Sequence, residues 1–169
     1  KQLGLLRVNN NTYRLVHGEG DNLPGLIIDI YGNTAVIQAH SVGMHNDREK
    51  ITEALKSIFN SDDLKNIFYK SEGTLPFKAD IDPEDCYLSG GENVDDVVIE
   101  NGLNFKVDWL KGQKTGFFID QRDNRHLLEY YSKGRNVLNM FCYTGGFSVY
   151  ALRGEAVEVV SVDSSSKAL

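Results

Sequence analysis

The order of elements between residues 136 and 163 restricts the fold more than any other feature of the sequence. An apolar strand at Asn136–Met140 runs into a glycine turn, Gly145-Gly146, which opens a helix that ends near Leu152. A second apolar strand, Val157–Val162, follows and ends in Asp163. Strands that alternate with helices through short connections are typical of α/β folds. This tail therefore predicts a βαβ unit with two parallel strands.

Three residues of this unit have the chemistry of a nucleoside site. A glycine turn between a buried strand and a helix lets the backbone approach a ligand closely, and an acid after the next strand accepts hydrogen bonds from a ribose diol. Gly146 and Asp163 lie 17 residues apart, close to the roughly 20 residues of a dinucleotide site. Phe147 and Ser148 stand where a third glycine is expected, which disfavours a pyrophosphate and hence a nicotinamide-dependent oxidoreductase. S-Adenosylmethionine, a nucleoside without phosphates, fits what remains, and a purely structural glycine turn stays open.

The earlier part of the chain predicts strands around one helix. Its expected strands are Thr12–His17, Leu26–Ile30, Thr34–Ala39, Asn66–Tyr69 and a hairpin of Asp96–Glu100 with Leu103–Trp109. The helix is indicated by one apolar stripe of Ile51, Ala54, Leu55, Ile58 and Phe59. Asn101-Gly102 favours a type I′ hairpin turn, because both turn positions need a positive φ. The fold class is α/β, an α+β middle domain followed by the first βαβ part of a Rossmann-like domain.

We place the domain boundary near Trp109–Lys111. Residues 11–110 then form a mixed α/β middle domain, and residues 111–169 form the N-terminal part of a Rossmann-like domain. Residues 1–10 are expected to be a linker. Lys1 is not a methionine, and the last four residues read as the opening of a helix. We therefore expect both ends to be cut.

Composition and charge indicate a soluble globular chain. Its 169 residues are 41% hydrophobic, but no apolar run approaches the roughly 18 residues of a membrane span or resembles a secretion signal. The cytoplasm is the expected compartment. The net charge is −6, and residues 79–100 hold eight acids and no Lys or Arg. We expect the part of this acidic stretch that precedes the hairpin to be loop-like. Residues 111–135 reverse this balance with six bases and three acids, which favours either RNA contact or a solvated face.

Three motifs in sequence order carry a resemblance to a known family. They are Tyr13-Arg14-Leu15-Val16-His17-Gly18-Glu19-Gly20-Asp21-Asn22-Leu23-Pro24-Gly25-Leu26, Lys111-Gly112-Gln113-Lys114-Thr115-Gly116-Phe117-Phe118-Ile119-Asp120-Gln121-Arg122-Asp123-Asn124-Arg125 and Val137-Leu138-Asn139-Met140-Phe141-Cys142-Tyr143-Thr144-Gly145-Gly146-Phe147-Ser148. Together they resemble the bacterial large-subunit ribosomal RNA cytosine-5 methyltransferases, class I enzymes that depend on S-adenosylmethionine. The resemblance implies an N-terminal PUA domain that this chain lacks, the middle domain and a Rossmann-like methyltransferase domain.

The resemblance also implies where the cofactor binds. Its expected contacts are Phe117, Asp120, Gln121, Arg122, Arg125, Phe141, Tyr143, Thr144, Gly145, Gly146, Asp163 and Ser164. Asp163 is expected at the ribose and Ser164 near the adenine, while the residues from Phe117 to Arg125 close the methionine end. An arginine can hold the methionine carboxylate through two parallel hydrogen bonds. The alternative is that Arg122 and Arg125 pair with acids on an exposed helix.

No catalytic residue is assigned within the chain. The resemblance implies a cysteine thiolate that attacks carbon 6 of cytosine and an Asp-Pro-Pro segment at the target base, and we expect both beyond Leu169. Cys142 belongs to the cofactor loop and Cys86 to the acidic stretch, so neither is expected to be the nucleophile. The four histidines lack metal-ligand spacing, and no metal is expected.

The resemblance gives ribosomal RNA as the partner of the longer protein, with this chain alone expected to be inactive. No membrane partner is expected. A partner chain, as in a homodimer, would cover the apolar edges that the truncated sheet leaves open, and partial disorder of the tail is the alternative. Two other functions stay open: an RNA-binding or assembly module without catalysis, and an RNA methyltransferase that modifies guanine.

Overall fold

The computed structural model describes residues 8–76, 79–92 and 94–165. The chain divides into two compact units, Lys1–Ile119 and Asp120–Leu169. Residues 1–7 of the linker expected at residues 1–10, and the helix expected to open at residues 166–169, lie outside the described residues. Asn10, at the end of the expected linker, is buried. None of the helices in the described ranges is long and apolar enough to cross a membrane.

The first unit is built on a five-stranded sheet. Its strands are β1 (Thr12–His17), β2 (Leu26–Tyr31), β3 (Thr34–Ala39), β4 (Asn66–Tyr69) and β5 (Cys86–Ser89), in that spatial order. Neighbouring strands are antiparallel except β3 and β4, which run parallel. Helices α1 (Val42–Asn46) and α2 (Arg48–Ile58) make the crossover that a parallel pair requires. The strands and the helix expected from the sequence are thus confirmed, with α1 as an addition.

The core of the first unit lies between the sheet and α2. Every residue of β3 is buried, as expected for a central strand. Leu55 on α2 packs in one cluster with Ile28, Ile37 and Ile67 from three neighbouring strands. Burying side chains of this size stabilises the fold by about 1.5–3 kcal/mol each. The predicted stripe is confirmed in part: Leu55 is buried and Ile51 and Phe59 pack against the cluster, whereas Ala54 and Ile58 are exposed.

The expectation that the acidic stretch before the hairpin is loop-like is wrong at β5. This strand pairs with β4, with Tyr87 opposite Phe68 and Cys86 opposite Tyr69. The rings of Phe68 and Tyr87 have centroids 4.9 Å apart. β5 is a four-residue edge strand that follows Asp85. Because its apolar run is short and lies in an acidic stretch, the sequence does not indicate a strand there.

A separate hairpin follows the sheet. Strands β6 (Val97–Glu100) and β7 (Leu103–Lys106) are antiparallel. Asn101 and Gly102 have φ angles of 50° and 79°, which confirms the type I′ turn. The strand expected to reach Trp109 ends at Lys106, and the chain then turns.

The expected domain boundary near Trp109–Lys111 is too early, because residues 111–119 belong to the first unit. The Thr115 hydroxyl donates to a carboxylate oxygen of the buried Asp29 at 2.6 Å. It also lies 2.8 Å from the Tyr31 hydroxyl. Arg14 holds Asp29 from the other side with two hydrogen bonds of 2.8 and 2.9 Å. We name these four residues the Asp29 network; it ties the Lys111 to Phe117 segment to β1 and β2.

The second unit contains the predicted βαβ unit. Its elements are α3 (Arg122–Ser132), β8 (Asn136–Met140), α4 (Gly146–Arg153) and β9 (Glu158–Val162). Strands β8 and β9 are parallel, and α3 packs against α4. One face of this two-stranded sheet exposes Leu138, Met140, Val160 and Val162. The sheet therefore has the uncovered apolar surface that the sequence predicts.

Candidate cofactor site

The loop between β8 and α4 has an unusual backbone. Phe141 and Tyr143 have φ angles of 58° and 50°, and Gly145 has a φ angle of 78°. Non-glycine residues with such angles are uncommon, and they cluster at ligand sites. The Cys142 amide donates to the carbonyl of Val162 at 3.1 Å, which joins the loop to the end of β9. We name residues 141–146 the glycine loop.

The glycine loop ends at the N-terminus of α4. Gly145 is the N-cap residue, and Gly146 is the buried first residue of the helix. A glycine cap has no side chain that could cover the backbone N–H groups of the first turn. Thr144, the residue before the cap, is exposed. This end of the helix is thus a surface that a ligand can approach closely.

Asp163 closes the loop from the opposite strand. One carboxylate oxygen accepts the Tyr143 amide at 2.8 Å, and the other accepts the Ser165 amide at 2.8 Å. These backbone bonds, that of Ser165 first, and a further one from Ser164 hold the pKa of Asp163 below its usual value. A carboxylate oxygen has two lone pairs, so each retains capacity for another donor. Asp163 is therefore ionised at neutral pH and can still accept ligand hydroxyls.

A polar chain beneath the loop was not predicted from the sequence. Asn139 on β8 donates to the hydroxyl of Ser148 on α4 at 2.8 Å. The Ser148 hydroxyl lies 2.6 Å from that of Ser161 on β9. The sequence signal was available, because Asn139 and Ser161 are opposite one another in two apolar strands. These hydrogen-bonded side chains fix α4 to both strands and so position the glycine loop.

The residues expected at the methionine end precede or begin α3. Asp120 and Gln121 lie in the short 3-10 turn Ile119–Gln121. The Gln121 amide donates to a carboxylate oxygen of Asp120 at 3.1 Å, and it accepts from Asn124 at 3.0 Å. Arg122 is the first residue of α3 and is half-buried. The contacts of these residues with a cofactor stay a prediction.

Arg125 lies in the interface between α3 and α4. It is only 2% exposed, and its guanidinium carbon is 5.9 Å from the centre of the buried Tyr150 ring. The exposed position that the alternative assumed is thus wrong for this residue. Glu129, on the same helix, forms two 2.6 Å hydrogen bonds with Arg153, which lower the pKa of Glu129. The cofactor contact of Arg125 stays a prediction.

Phe117 belongs to the first unit, and the other expected site residues belong to the second. Its ring is 5% exposed and lies 5.1 Å from that of Phe105, centroid to centroid. Phe118 is half-buried. The prediction that at least one residue of this pair is a core residue is confirmed. Seven other expected contacts lie in or next to the glycine loop: Phe141, Tyr143, Thr144, Gly145, Gly146, Asp163 and Ser164.

The two cysteines differ in burial, and the expectation that neither is the nucleophile stays a prediction. Cys142 is buried, and Cys86 is exposed on the edge strand β5. Within the described ranges, no group of three or more His, Cys, Asp or Glu residues is placed to hold a metal ion.

Comparison with known proteins gives an independent view of the site. Residues 69–169 match the family described as S-adenosylmethionine-dependent methyltransferase. The chain is 41% identical to the ribosomal RNA large subunit methyltransferase I of Tolumonas auensis, over 100% of this chain and 42% of that protein. It is thus similar to a segment that spans about two fifths of this relative's length.

Two solved structures resemble the fold closely. A Streptococcus mutans protein described as a SAM-dependent methyltransferase has a TM-score of 0.81 at 28% identity, covering 99% of this chain and 42% of that chain. A protein described as a methyltransferase and solved in complex with SAH has a TM-score of 0.80 at 28% identity, covering 96% of this chain and 40% of that chain.

Proposed function

We propose that this chain, which belongs to the S-adenosylmethionine-dependent methyltransferase family, is part of an enzyme that methylates large-subunit ribosomal RNA. The similar protein from Tolumonas auensis bears that activity in its name. Because the chain spans 42% of that relative, we assign the activity to a longer protein that contains it. The isolated chain supplies one side of the cofactor site and no catalytic residue.

One observation carries the cofactor assignment: the Asp163 carboxylate is hydrogen-bonded to the Tyr143 amide of the glycine loop at 2.8 Å. The bond places an ionised acid beside a backbone that is open to close approach. An acid in this position accepts the two hydroxyls of a ribose, and the loop covers the nucleoside without needing phosphates. The carboxylate acceptor and the open backbone of the loop therefore fit S-adenosylmethionine.

When bound, S-adenosylmethionine supplies an electrophilic methyl group on a sulfonium. The residues of this chain bind and orient it. Asp163 would accept the ribose hydroxyls, and exposed Ser164 would lie near the adenine. Arg122, at the start of α3, would hold the methionine carboxylate, because a guanidinium offers the forked geometry that a carboxylate matches.

We further propose carbon 5 of a cytosine as the methylated atom. This finer assignment depends on the resemblance of the three sequence motifs to cytosine-5 methyltransferases. A guanine-modifying RNA enzyme is the second candidate, because the Lys114 to Arg122 segment does not itself select the base. Methylation of ribosomal RNA transcripts, followed by nucleoside analysis by mass spectrometry, separates the two products.

The test of the cofactor site is calorimetry on the longer protein with S-adenosylmethionine. Asp163→Ala should weaken binding by about 1–3 kcal/mol, the cost of unsatisfied polar partners, or roughly 5–150-fold in Kd. Asp62→Ala, an exposed acid of the first unit, is the matched control and should bind like wild type. Equal affinity of Asp163→Ala and wild type would refute the assignment.

The isolated 169-residue chain provides a second test. Incubated with tritiated cofactor and ribosomal RNA, it should transfer no label, because it lacks the nucleophile and target-base segment that the resemblance implies. Incorporation of label into RNA by the isolated chain contradicts this view.

A further inference from the structure

The first unit contains an open cavity that the cofactor site does not use. Its volume is about 680 Å³, within the roughly 300–1,000 Å³ that is typical of ligand sites. Three lysines contribute to its walls: Lys70, Lys111 and Lys114. With the two acids of the lining, Glu72 and Asp85, the wall has a small excess of positive charge in a chain whose net charge is −6. We name it the lysine cavity.

Lys70 is fixed in the wall of the cavity. Its ammonium donates to the carbonyls of Trp109 at 2.5 Å and Gly112 at 2.7 Å. An ammonium has three N–H donors, so one remains for a ligand. Partial burial lowers the pKa of Lys70, and the charges of Asp85 and Asp108 oppose that shift. A lysine held in this way offers a donor with little loss of side-chain entropy on binding.

The other two lysines lie on a segment whose backbone is fixed. Lys114 has a φ angle of 54°, and its carbonyl accepts from the buried Gln38 side chain at 3.2 Å. The Lys111 amide donates to Asp108 at 2.9 Å. Thr115, the residue after Lys114, belongs to the Asp29 network. Both lysine side chains are exposed, so they project from a rigid backbone and can reach a ligand.

The rest of the lining is mixed and includes two acids, Glu72 and Asp85, the apolar Leu110, and the polar side chains of Gln38, His40 and Thr74. The Asp85 carboxylate accepts the Glu72 amide at 2.8 Å. Partial desolvation, and then the positive charge of Lys114, lowers the pKa of His40, so this imidazole is neutral at pH 7. Neutral imidazole, Gln38 and the two acids can accept hydrogen bonds from base amino groups and 2′-hydroxyls. Lysines can bind the phosphates of a nucleotide strand, and the neighbouring acceptors can bind its sugars and bases. This combination fits a nucleotide strand better than a simple anion.

We propose that the lysine cavity binds a single-stranded segment of the RNA substrate, with Lys70, Lys111 and Lys114 on its phosphates. This proposal deepens the proposed function and rests on it. RNA binding is sequence-tolerant at such a site, because phosphate contacts position a strand without reading its bases. The cavity would hold the RNA while the second unit binds the cofactor.

The test measures RNA binding by the 169-residue chain without cofactor. Fluorescence anisotropy of a labelled 12-nucleotide single strand is recorded between 50 and 300 mM salt. The Lys111→Ala/Lys114→Ala double variant should lower the slope of log K against log salt by about 1.4, at roughly 0.7 per phosphate contact. At 0.1 M salt this corresponds to about a 25-fold weaker complex.

The matched control is Lys50→Ala/Lys56→Ala, which removes the same charge from α2 of the same unit. It should keep the wild-type slope, and Trp109 fluorescence verifies that both double variants are folded. If the two double variants change the slope equally, or neither changes it, the proposal is overturned. It is also overturned if adenosine monophosphate displaces the strand at equal affinity, because the cavity is then a small-anion site. Calorimetry with S-adenosylmethionine reports on the proposed function separately, since Asp163 is not part of the cavity.

Discussion

Replacing Thr115 with valine removes a hydroxyl from the Asp29 network while keeping the shape of the side chain. In the wild type this hydroxyl donates to Asp29 at 2.6 Å. It therefore accepts from the Tyr31 hydroxyl, 2.8 Å away. Asp29 is fully buried, so water cannot replace the lost donor. The valine variant leaves a buried carboxylate with less compensation, and we expect the first unit to lose stability.

The magnitude follows from the two hydrogen bonds. A bond to a charged group contributes about 1.5–3 kcal/mol and a neutral one about 0.5–1.5 kcal/mol. The Tyr31 hydroxyl has a second acceptor, the Phe117 carbonyl at 3.3 Å, which offsets most of the neutral loss. Thr115→Val should therefore lower the free energy of unfolding by about 2–3 kcal/mol. Tyr31→Phe should cost about 1 kcal/mol, and the double variant should cost less than the sum by about 0.5–1 kcal/mol, because the bonds are linked.

The assay is urea unfolding followed by the fluorescence of Trp109, the single tryptophan of the chain. It is 2% exposed, and its ring stacks on that of Tyr31 at 6.1 Å, so its emission reports on the first unit. Thr115→Ser is the control, since it keeps the hydroxyl and loses one buried methyl, at about 1 kcal/mol. If valine costs no more than serine, the hydroxyl contributes nothing and the reasoning is wrong.

Two further predictions concern close packing and pH. Gly116→Ala should destabilise the first unit by about 2–4 kcal/mol in the same urea assay, because Gly116 has a φ angle of 124° and an added Cβ would lie 2.8 Å from a Val107 methyl. The control is Gly43→Ala in α1, where an added Cβ meets open space, and it should be neutral or stabilising. If the two variants lose equal stability, the steric argument is wrong. Glu129 has a lowered pKa because of Arg153, so the contribution of this pair is present above the ordinary value of 4.5 and is lost as the pH falls through the lowered folded value. Glu129→Gln should therefore speed amide exchange in α3 and α4 about 2–5-fold over wild type at pH 7, for a pair worth about 0.5–1 kcal/mol. The ratio should fall towards one as the pH is lowered through the folded-state pKa of Glu129. A ratio that stays constant as the pH falls would refute the linkage.

Local signals in the sequence predicted most of the elements. β1, β3, β4 and β8 have the predicted bounds, because each is an apolar run flanked by turn residues. The turn at Asn101-Gly102 followed from a backbone requirement that few residues meet. The glycine loop and Asp163 were identifiable for a similar reason, since the βαβ order brings the end of each parallel strand to one edge of the sheet.

The features that were missed depend on contacts between distant residues. The boundary between the units lies later than predicted because Thr115 bonds to Asp29, 86 residues earlier. No residue near Thr115 in the sequence indicates that partner. Arg125 was expected at the cofactor, with an exposed helix position as the alternative, yet it is buried beside the Tyr150 ring of another helix. β5 was missed because pairing with β4, rather than its own composition, makes it a strand.

The long separation within the Asp29 network has a consequence for biosynthesis. At about 5–20 residues per second on the ribosome, Thr115 is made roughly 4–17 s after Asp29, given their 86-residue separation. During that interval β1 to β3 are already synthesised, and the carboxylate of β2 lacks one of its native donors. Non-local closures of this kind also slow folding, because chain entropy is lost before the contact forms. We therefore expect the first unit to complete its fold late, with its early strands open to chaperone binding until the Lys111 to Phe117 segment arrives.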